Sequence, residues 1–187
     1  MPLHSYFVLL AFSLLGLVLI VQIAGMRGDS KEIVGEPTID KYYFFSGKIA
    51  LITTWVMFIR KAISPALGYI IVPVYLQWIA VGLLWIGAIV TGFALIGLGK
   101  SLKIGLPRNA TTLQTKGIYR FSRNPLYTGV FIISAASGLY FPDLINVTFA
   151  IYGIYIHHTI ILGEEAFLAQ RFGNAWENYT NSVKRYL

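Results

Sequence analysis

Long apolar runs separated by short polar interruptions dominate the chain. Residues 3–25, LHSYFVLLAFSLLGLVLIVQIAG, contain no Asp, Glu, Lys or Arg and exceed the roughly 20 residues a helix needs to cross a bilayer. No basic stretch precedes this run and it is longer than a leader requires, so it reads as a span rather than a signal peptide. A charged loop with a Gly-Glu-Pro turn, MRGDSKEIVGEPTIDK, follows. A second span is predicted from about Tyr42 to Ile59. It opens on Tyr42, Tyr43, Phe44 and Phe45, aromatics suited to an interface, carries Lys48 where it can snorkel outward, and is closed by Arg60 and Lys61. The prolines and glycine of AISPALGYIIVPVYL predict an interfacial or kinked approach to a third span, about Tyr75 to Leu98.

Residues 99–124 form a long polar loop. Pro125 then suits the first turn of a helix, where its missing N–H is unpaired anyway, and it pushes Asn124 towards an extended conformation. A shorter apolar segment over 125–141, an FPD turn and a return over 144–162 predict a helical hairpin. Beyond Glu164 the pattern changes: Phe167, Leu168, Phe172, Trp176 and Tyr179 recur at spacings of three and four. That is the signature of an amphipathic helix, interrupted at Gly173, on the membrane surface. The expected architecture is an all-α integral membrane protein of about five spans with a C-terminal amphipathic helix and a long basic loop before the hairpin. It forms one domain, with three spans in residues 1–99 and the loop, hairpin and final helix in residues 100–187.

Composition agrees with that pattern. Hydrophobic residues make up 56% of the 187-residue chain and charged residues 12%, and mean hydropathy is +0.66, outside the range of soluble domains. With no cysteine, disulfides, thiolate metal sites and a cysteine nucleophile are excluded.

The net charge of +7 is unevenly placed. Lys100, Lys103, Arg108, Lys116, Arg120 and Arg123 lie in one loop with no acid among them. A loop beside anionic lipid heads explains this bias, so no nucleic-acid partner is inferred. With five crossings, twelve bases fall on the side of that loop and only Arg60 and Lys61 on the other. The positive-inside rule then puts the loop and C-terminus in the cytoplasm and the N-terminus outside.

Two groups of residues invite a chemical reading. The stretch GIYRFSRNPLYTGVF, residues 117–131, offers backbone amides around Gly117, aromatic faces at Tyr119 and Tyr127, and the guanidinium groups of Arg120 and Arg123. Glu164 and Glu165 end the last span on the same membrane face as Pro125, so the hairpin brings the carboxylates near that stretch. A ligand carrying both charges and an aromatic ring matches such partners. His157 and His158 each share a face with one of the glutamates, seven residues on. No HExxH and no third clustered ligand accompanies them, so no metal is inferred. Walker-type, GxSxG and GxGxxG signatures are also missing.

The segments LQTKGIYRFSRNPLYTG (113–129) and EEAFLAQRFGNAWENY (164–179) resemble, in order and spacing, the isoprenylcysteine carboxyl methyltransferase family. Related membrane methyltransferases, including phospholipid N-methyltransferases, are similar. The likeness covers the C-terminal 75 or so residues.

The resemblance implies a site for S-adenosyl-L-methionine at the cytoplasmic face. Leu113, Gln114, Tyr119, Asn124, Pro125, Leu126, Tyr127 and Glu164 would bind the cofactor there, with Gly117 and Glu165 beside them. Arg123 and Asn124 are the residues expected at the chemistry, although Asn124 can only donate and accept hydrogen bonds and cannot act as a base near neutral pH. The implied reaction is methyl transfer, by family resemblance to a carboxyl oxygen, on a hydrophobic or lipid-linked acceptor reaching the site from the bilayer.

Two positions depart from the eukaryotic carboxyl methyltransferases: Asn124 stands where they have histidine, and Ile160 where they have a substrate-anchoring arginine. The acceptor therefore stays open. The lack of those enzymes' extra N-terminal spans points to a prokaryotic cytoplasmic membrane. Two other readings stand beside this one: an NADPH-dependent membrane sterol-type reductase, similar in its C-terminal helices, and a non-catalytic lipid-binding protein.

Overall fold

The computed structural model describes residues 1–25, 35–99, 102, 105–106 and 112–186. Lys100, Lys103 and Arg108 of the basic loop, and most of the charged stretch after residue 25, lie outside the described residues. The described chain forms helices α1 (Leu3–Gly25), α2 (Lys41–Ile63), α3 (Val74–Leu98), α4 (Pro125–Tyr140), α5 (Leu144–Phe172) and α6 (Asn174–Ser182), with a 3₁₀ turn at Gly117–Arg120. Four of them, α1, α2, α3 and α5, are long and apolar enough to cross a membrane, and α4 is a shorter apolar helix. The chain is an integral membrane protein of all-α class.

Local chemistry explains the boundaries. Asp40 caps α2 by accepting from the Tyr42 amide at 2.9 Å, and Arg60 and Lys61 occupy its last turn, complementing the helix dipole. The Lys61 ammonium also donates to the Pro65 carbonyl at 2.7 Å, pinning the irregular, proline-bearing approach to α3. Asp143 caps α5 through the Ile145 amide at 3.0 Å. Pro125 occupies the first turn of α4.

The fifth span departs from expectation at its far end. The apolar pattern predicts an end near 162, yet the helix continues unbroken to Phe172. The sequence GEEAFLAQRF contains nothing that breaks a helix before Gly173. At 29 residues α5 is about 43 Å long, longer than a ~30 Å hydrocarbon core requires, and its surplus turns carry Glu164 to Phe172 past the span.

Small residues set the packing. A Cβ on Gly129 of α4 would fall 2.3 Å from Thr91 Oγ1 and 2.7 Å from the Gly87 carbonyl of α3, so only glycine lets these backbones approach so closely. On the other side, Gly47 lies against Ile156, Leu51 against Gly153 and Thr38 against Gly163, an antiparallel register of α2 and α5. Buried Asn146 donates to the Phe141 carbonyl at 2.8 Å and the Ser137 carbonyl at 3.1 Å, and Ser137 donates to the Thr54 carbonyl at 2.8 Å. That hydrogen-bond chain holds the α4–α5 hairpin against α2 without leaving a polar group bare in hydrocarbon.

Phe58, Leu84, Ile133 and Tyr140 fill the main core. Side chains such as Leu10, Leu17, Ile86, Ile89 and Phe93 stay exposed, as a lipid-facing surface requires. An antiparallel bridge between Glu36 and Leu106 joins the first and third loops, with N···O distances of 3.1 and 2.8 Å. The loop preceding α2, the basic loop and the C-terminus thus gather at one end of the bundle.

Candidate active site at the loop end of the bundle

The loop before α4 is held down by its own polar groups. Gly117 adopts a left-handed φ of +62°, a conformation that favours glycine, and starts the 3₁₀ turn that directs Tyr119 inward. The Tyr119 ring packs beside Gly97 and its hydroxyl points at the Ala94 carbonyl, 3.4 Å away. The Gln114 amide donates to the Gly97 carbonyl, and the Tyr179 hydroxyl of α6 donates to the Tyr119 carbonyl. Burial holds the Tyr119 hydroxyl well above the usual phenol range, helped by Tyr179 and Glu164. Tyr179 is pushed up to about 12 by burial, with Arg123 opposing the shift and Glu165 adding to it. Both phenols therefore remain donors.

Glu164 and Glu165 diverge because successive helical residues point about 100° apart. Buried Glu165 receives five donors. Arg123 Nε and Asn124 Nδ2 reach Oε1 at 3.2 and 2.9 Å, while Arg123 Nη2, Arg185 Nε and Arg185 Nη2 reach Oε2 at 3.3, 3.1 and 2.9 Å. Arg123 also donates to the Val183 carbonyl at 2.9 Å, and its backbone amide to the Lys184 carbonyl at 2.9 Å. Tyr186 and His158 Nδ1 lie 2.7 Å apart. The chain after α6 is thereby strapped across the start of α4. Glu164 instead accepts one hydrogen bond, from the Tyr127 hydroxyl at 2.9 Å, its single direct hydrogen-bond partner among the described residues.

Between these elements lies a cavity of about 180 Å³, more than ten times the space one water needs and open to a small molecule. Leu113 and Gln114 form one wall and Leu126 and Tyr127 another. Glu164, Phe167 and Leu168 close it from α5, and Trp176 and Tyr179 from α6. Tyr119, Arg123 and Asn124 also reach the cavity, and Leu106 contributes to its rim.

Three expected site residues are not on the wall. Gly117 shapes the turn behind it, Pro125 is wholly buried, and Glu165 is taken up by the strap. Arg123 and Asn124, expected at the chemistry, reach the cavity and also commit side-chain donors to Glu165. Phe167, Leu168, Trp176 and Tyr179 belong to the apolar periodicity that predicts a helix on the membrane surface. In the fold, Trp176, Tyr179 and Val183 form a small core with Leu113, Leu168 and Phe172, so that face closes the cavity. Leu106 gave no sequence signal.

Among the described residues the cavity wall carries one carboxylate, Glu164, without a cation in contact, framed by aromatic and apolar side chains. Residues 75–175, more than half of the chain, match the family model of phospholipid methyltransferases. The chain belongs to this family. The phospholipid methyltransferase match takes in α3, the loop, α4 and α5, and thus most of the cavity wall, whereas α1 and α2 lie outside it. The family consists of integral-membrane methyltransferases related to the isoprenylcysteine carboxyl methyltransferases. No individual curated protein matches the chain.

Proposed function

We propose that this phospholipid methyltransferase family member moves the methyl group of S-adenosyl-L-methionine onto a hydrophobic or lipid-linked nucleophile supplied by the bilayer. The observation that carries this reading is Glu164, a carboxylate with one neutral donor facing an aromatic-lined cavity at the rim of the bundle. Its free valence suits a cationic group, Tyr119 and Trp176 suit an aromatic base, and Leu113 and Leu126 suit the ligand's apolar edge. When bound, the cofactor supplies an electrophilic methyl group at a sulfonium centre.

The chain's own contribution is positioning and exclusion of water. Tyr127 holds the Glu164 carboxylate in one orientation through its hydroxyl. Trp176 and Tyr179 wall the cavity on the α6 side, which limits solvent access to a displacement that needs a desolvated nucleophile and aligned reactants. Arg123 and Asn124 act at one remove: through Glu165 and Arg185 they hold the strap, and with it α6, in place. Family membership favours methyl transfer over the reductase and scaffold readings. The basic bias of the loop before α4 supports a cytoplasmic site.

Calorimetry on the detergent-solubilised protein with S-adenosyl-L-methionine and with S-adenosylhomocysteine tests the proposal. Saturable binding of both is expected. Absence of heat from either at millimolar concentration refutes it.

A further inference from the structure

The described bases beside the cavity divide into two sets. Arg123 and Arg185 turn inward onto Glu165. Lys116, just before the 3₁₀ turn, Arg120, its last residue, and Lys184 of the strap are exposed instead. No carboxylate meets these three side chains among the described residues. Backbone links set them on one rim. The Arg123 amide donates to the Lys184 carbonyl at 2.9 Å and the Ser122 hydroxyl to the Arg185 carbonyl at 3.2 Å, so Lys184 runs beside the residues that follow Arg120. The rim keeps a surplus of positive charge. Of the acids described between residues 112 and 186, namely Asp143, Glu164, Glu165 and Glu177, only Glu177 in the first turn of α6 is exposed.

The depth of this rim follows from the length of α4. Its 16 residues give about 24 Å, short of a ~30 Å hydrocarbon core. At the far end of the hairpin the Asp143 carboxylate, which caps α5, has to reach the opposite interface. Pro125 and the turn before it therefore sit at the near edge of the hydrocarbon rather than out in solvent. Phe121 fits that level: it is 59% exposed, and the Arg120 guanidinium lies 4.8 Å from its ring centroid. A ring turned to lipid with a cation beside it is an interfacial arrangement. The strap descends the same way. Beyond Lys184, the Tyr186 ring packs 6.1 Å from that of Phe131, and its hydroxyl lies 2.7 Å from His158 Nδ1, about 9 Å to the bilayer side of Glu164 along α5. Lys184 stands where the strap passes from solvent to bilayer.

We propose that Lys116, Arg120 and Lys184 form a docking surface for the phosphate groups of anionic phospholipids in the adjoining leaflet. Charge complementarity selects the occupant, and Phe121 makes the patch continuous with the lipid-facing surface of the bundle. A base held near an anionic membrane surface is worth about fivefold in association, so three together favour an anionic over a zwitterionic head by about tenfold or more. The inference rests on charge and depth alone and does not need the methyl-transfer reading.

Native mass spectrometry of the full chain in mild detergent, titrated with dioleoylphosphatidylglycerol or dioleoylphosphatidylcholine, reads the affinity for the first bound lipid. Phosphatidylglycerol should bind about tenfold or more tightly than phosphatidylcholine. The triple change Lys116→Gln, Arg120→Gln and Lys184→Gln should bring the two lipids within about threefold of each other. Lys116→Arg, Arg120→Lys and Lys184→Arg together should keep the preference, because a phosphate surface reads charge, and so should Arg60→Gln at the far end of the bundle. Should the glutamine variant fail to fold, wild type answers alone: raising the salt from about 50 to about 500 mM should erase the preference by screening. Equal affinity for the two lipids, a preference that survives salt, or one that survives the triple glutamine change overturns the proposal. So does full displacement of phosphatidylglycerol by millimolar inorganic phosphate, which would mark an isolated anion site instead of a lipid surface. Calorimetry with S-adenosyl-L-methionine separates this idea from the one above. Loss of cofactor binding with the lipid preference intact discards methyl transfer alone, and the converse discards the docking surface alone.

Discussion

Glu164 and Glu165 are neighbours in sequence, and replacing each by glutamine should produce opposite phenotypes. Glutamine is nearly isosteric and keeps one acceptor oxygen, so the change isolates charge. At Glu165 the carboxylate answers two guanidinium groups, Arg123 with 12% and Arg185 with 35% of its side chain exposed. Breaking a fully buried pair costs about 3–5 kcal/mol. The part-exposed Arg185 reduces this, so a loss of about 2–4 kcal/mol is expected. For a chain of this length, that lowers the melting temperature by about 4–16 °C.

At Glu164 the Tyr127 hydroxyl still finds an acceptor in Glu164→Gln, and the melting temperature should move by no more than about 2 °C. Loss of a charge-assisted contact to a cationic ligand instead weakens S-adenosyl-L-methionine binding by about 2–3 kcal/mol, roughly 30- to 150-fold. Thermal unfolding followed by tryptophan fluorescence in detergent, together with calorimetry, reads both quantities. The reasoning is refuted if Glu165→Gln melts like the wild type, or if Glu164→Gln binds the cofactor within threefold of it.

Other expectations follow from the same geometry. Arg185→Ala removes two of the five donors on Glu165 and should loosen α6, which limited proteolysis would report as faster cleavage between residues 172 and 187; unchanged kinetics would dissociate the strap from α6. Tyr127→Phe deletes the hydroxyl that orients Glu164 and should weaken cofactor binding by about 1 kcal/mol, some fivefold, with little change in melting temperature. Gly129→Leu drives a side chain into Thr91 and the Gly87 carbonyl and should destabilise the bundle by about 1–3 kcal/mol or abolish expression, seen as lost monodispersity in gel filtration. Fluorescent-protein and phosphatase fusions should report the C-terminus in the cytoplasm and the N-terminus outside; the reverse pattern would move the cavity to the other face of the membrane.

Much of this protein is legible along one dimension. Hydrophobic length is a local property, so α1, α2, α3 and α4 lie within a few residues of where the apolar runs place them. The Asn124–Pro125 step marks the start of α4 because proline chemistry acts on its immediate neighbours. The spacing of the loop and Glu-Glu motifs likewise carried the family relationship, which makes the chain a membrane methyltransferase in kind.

Tertiary structure decided what contacts what. Periodicity shows that α6 has an apolar face; it does not say whether lipid or the Leu113 loop covers that face, because burial depends on distant segments. Nor could two adjacent glutamates be told apart by type. Only the helical offset between them, set against the positions of Arg123, Arg185 and Tyr127, turns one into a structural clasp and leaves the other facing the cavity. Charge pairing is a property of three-dimensional neighbours, and those neighbours lie 42 (Arg123), 37 (Tyr127) and 20 (Arg185) residues away along the chain.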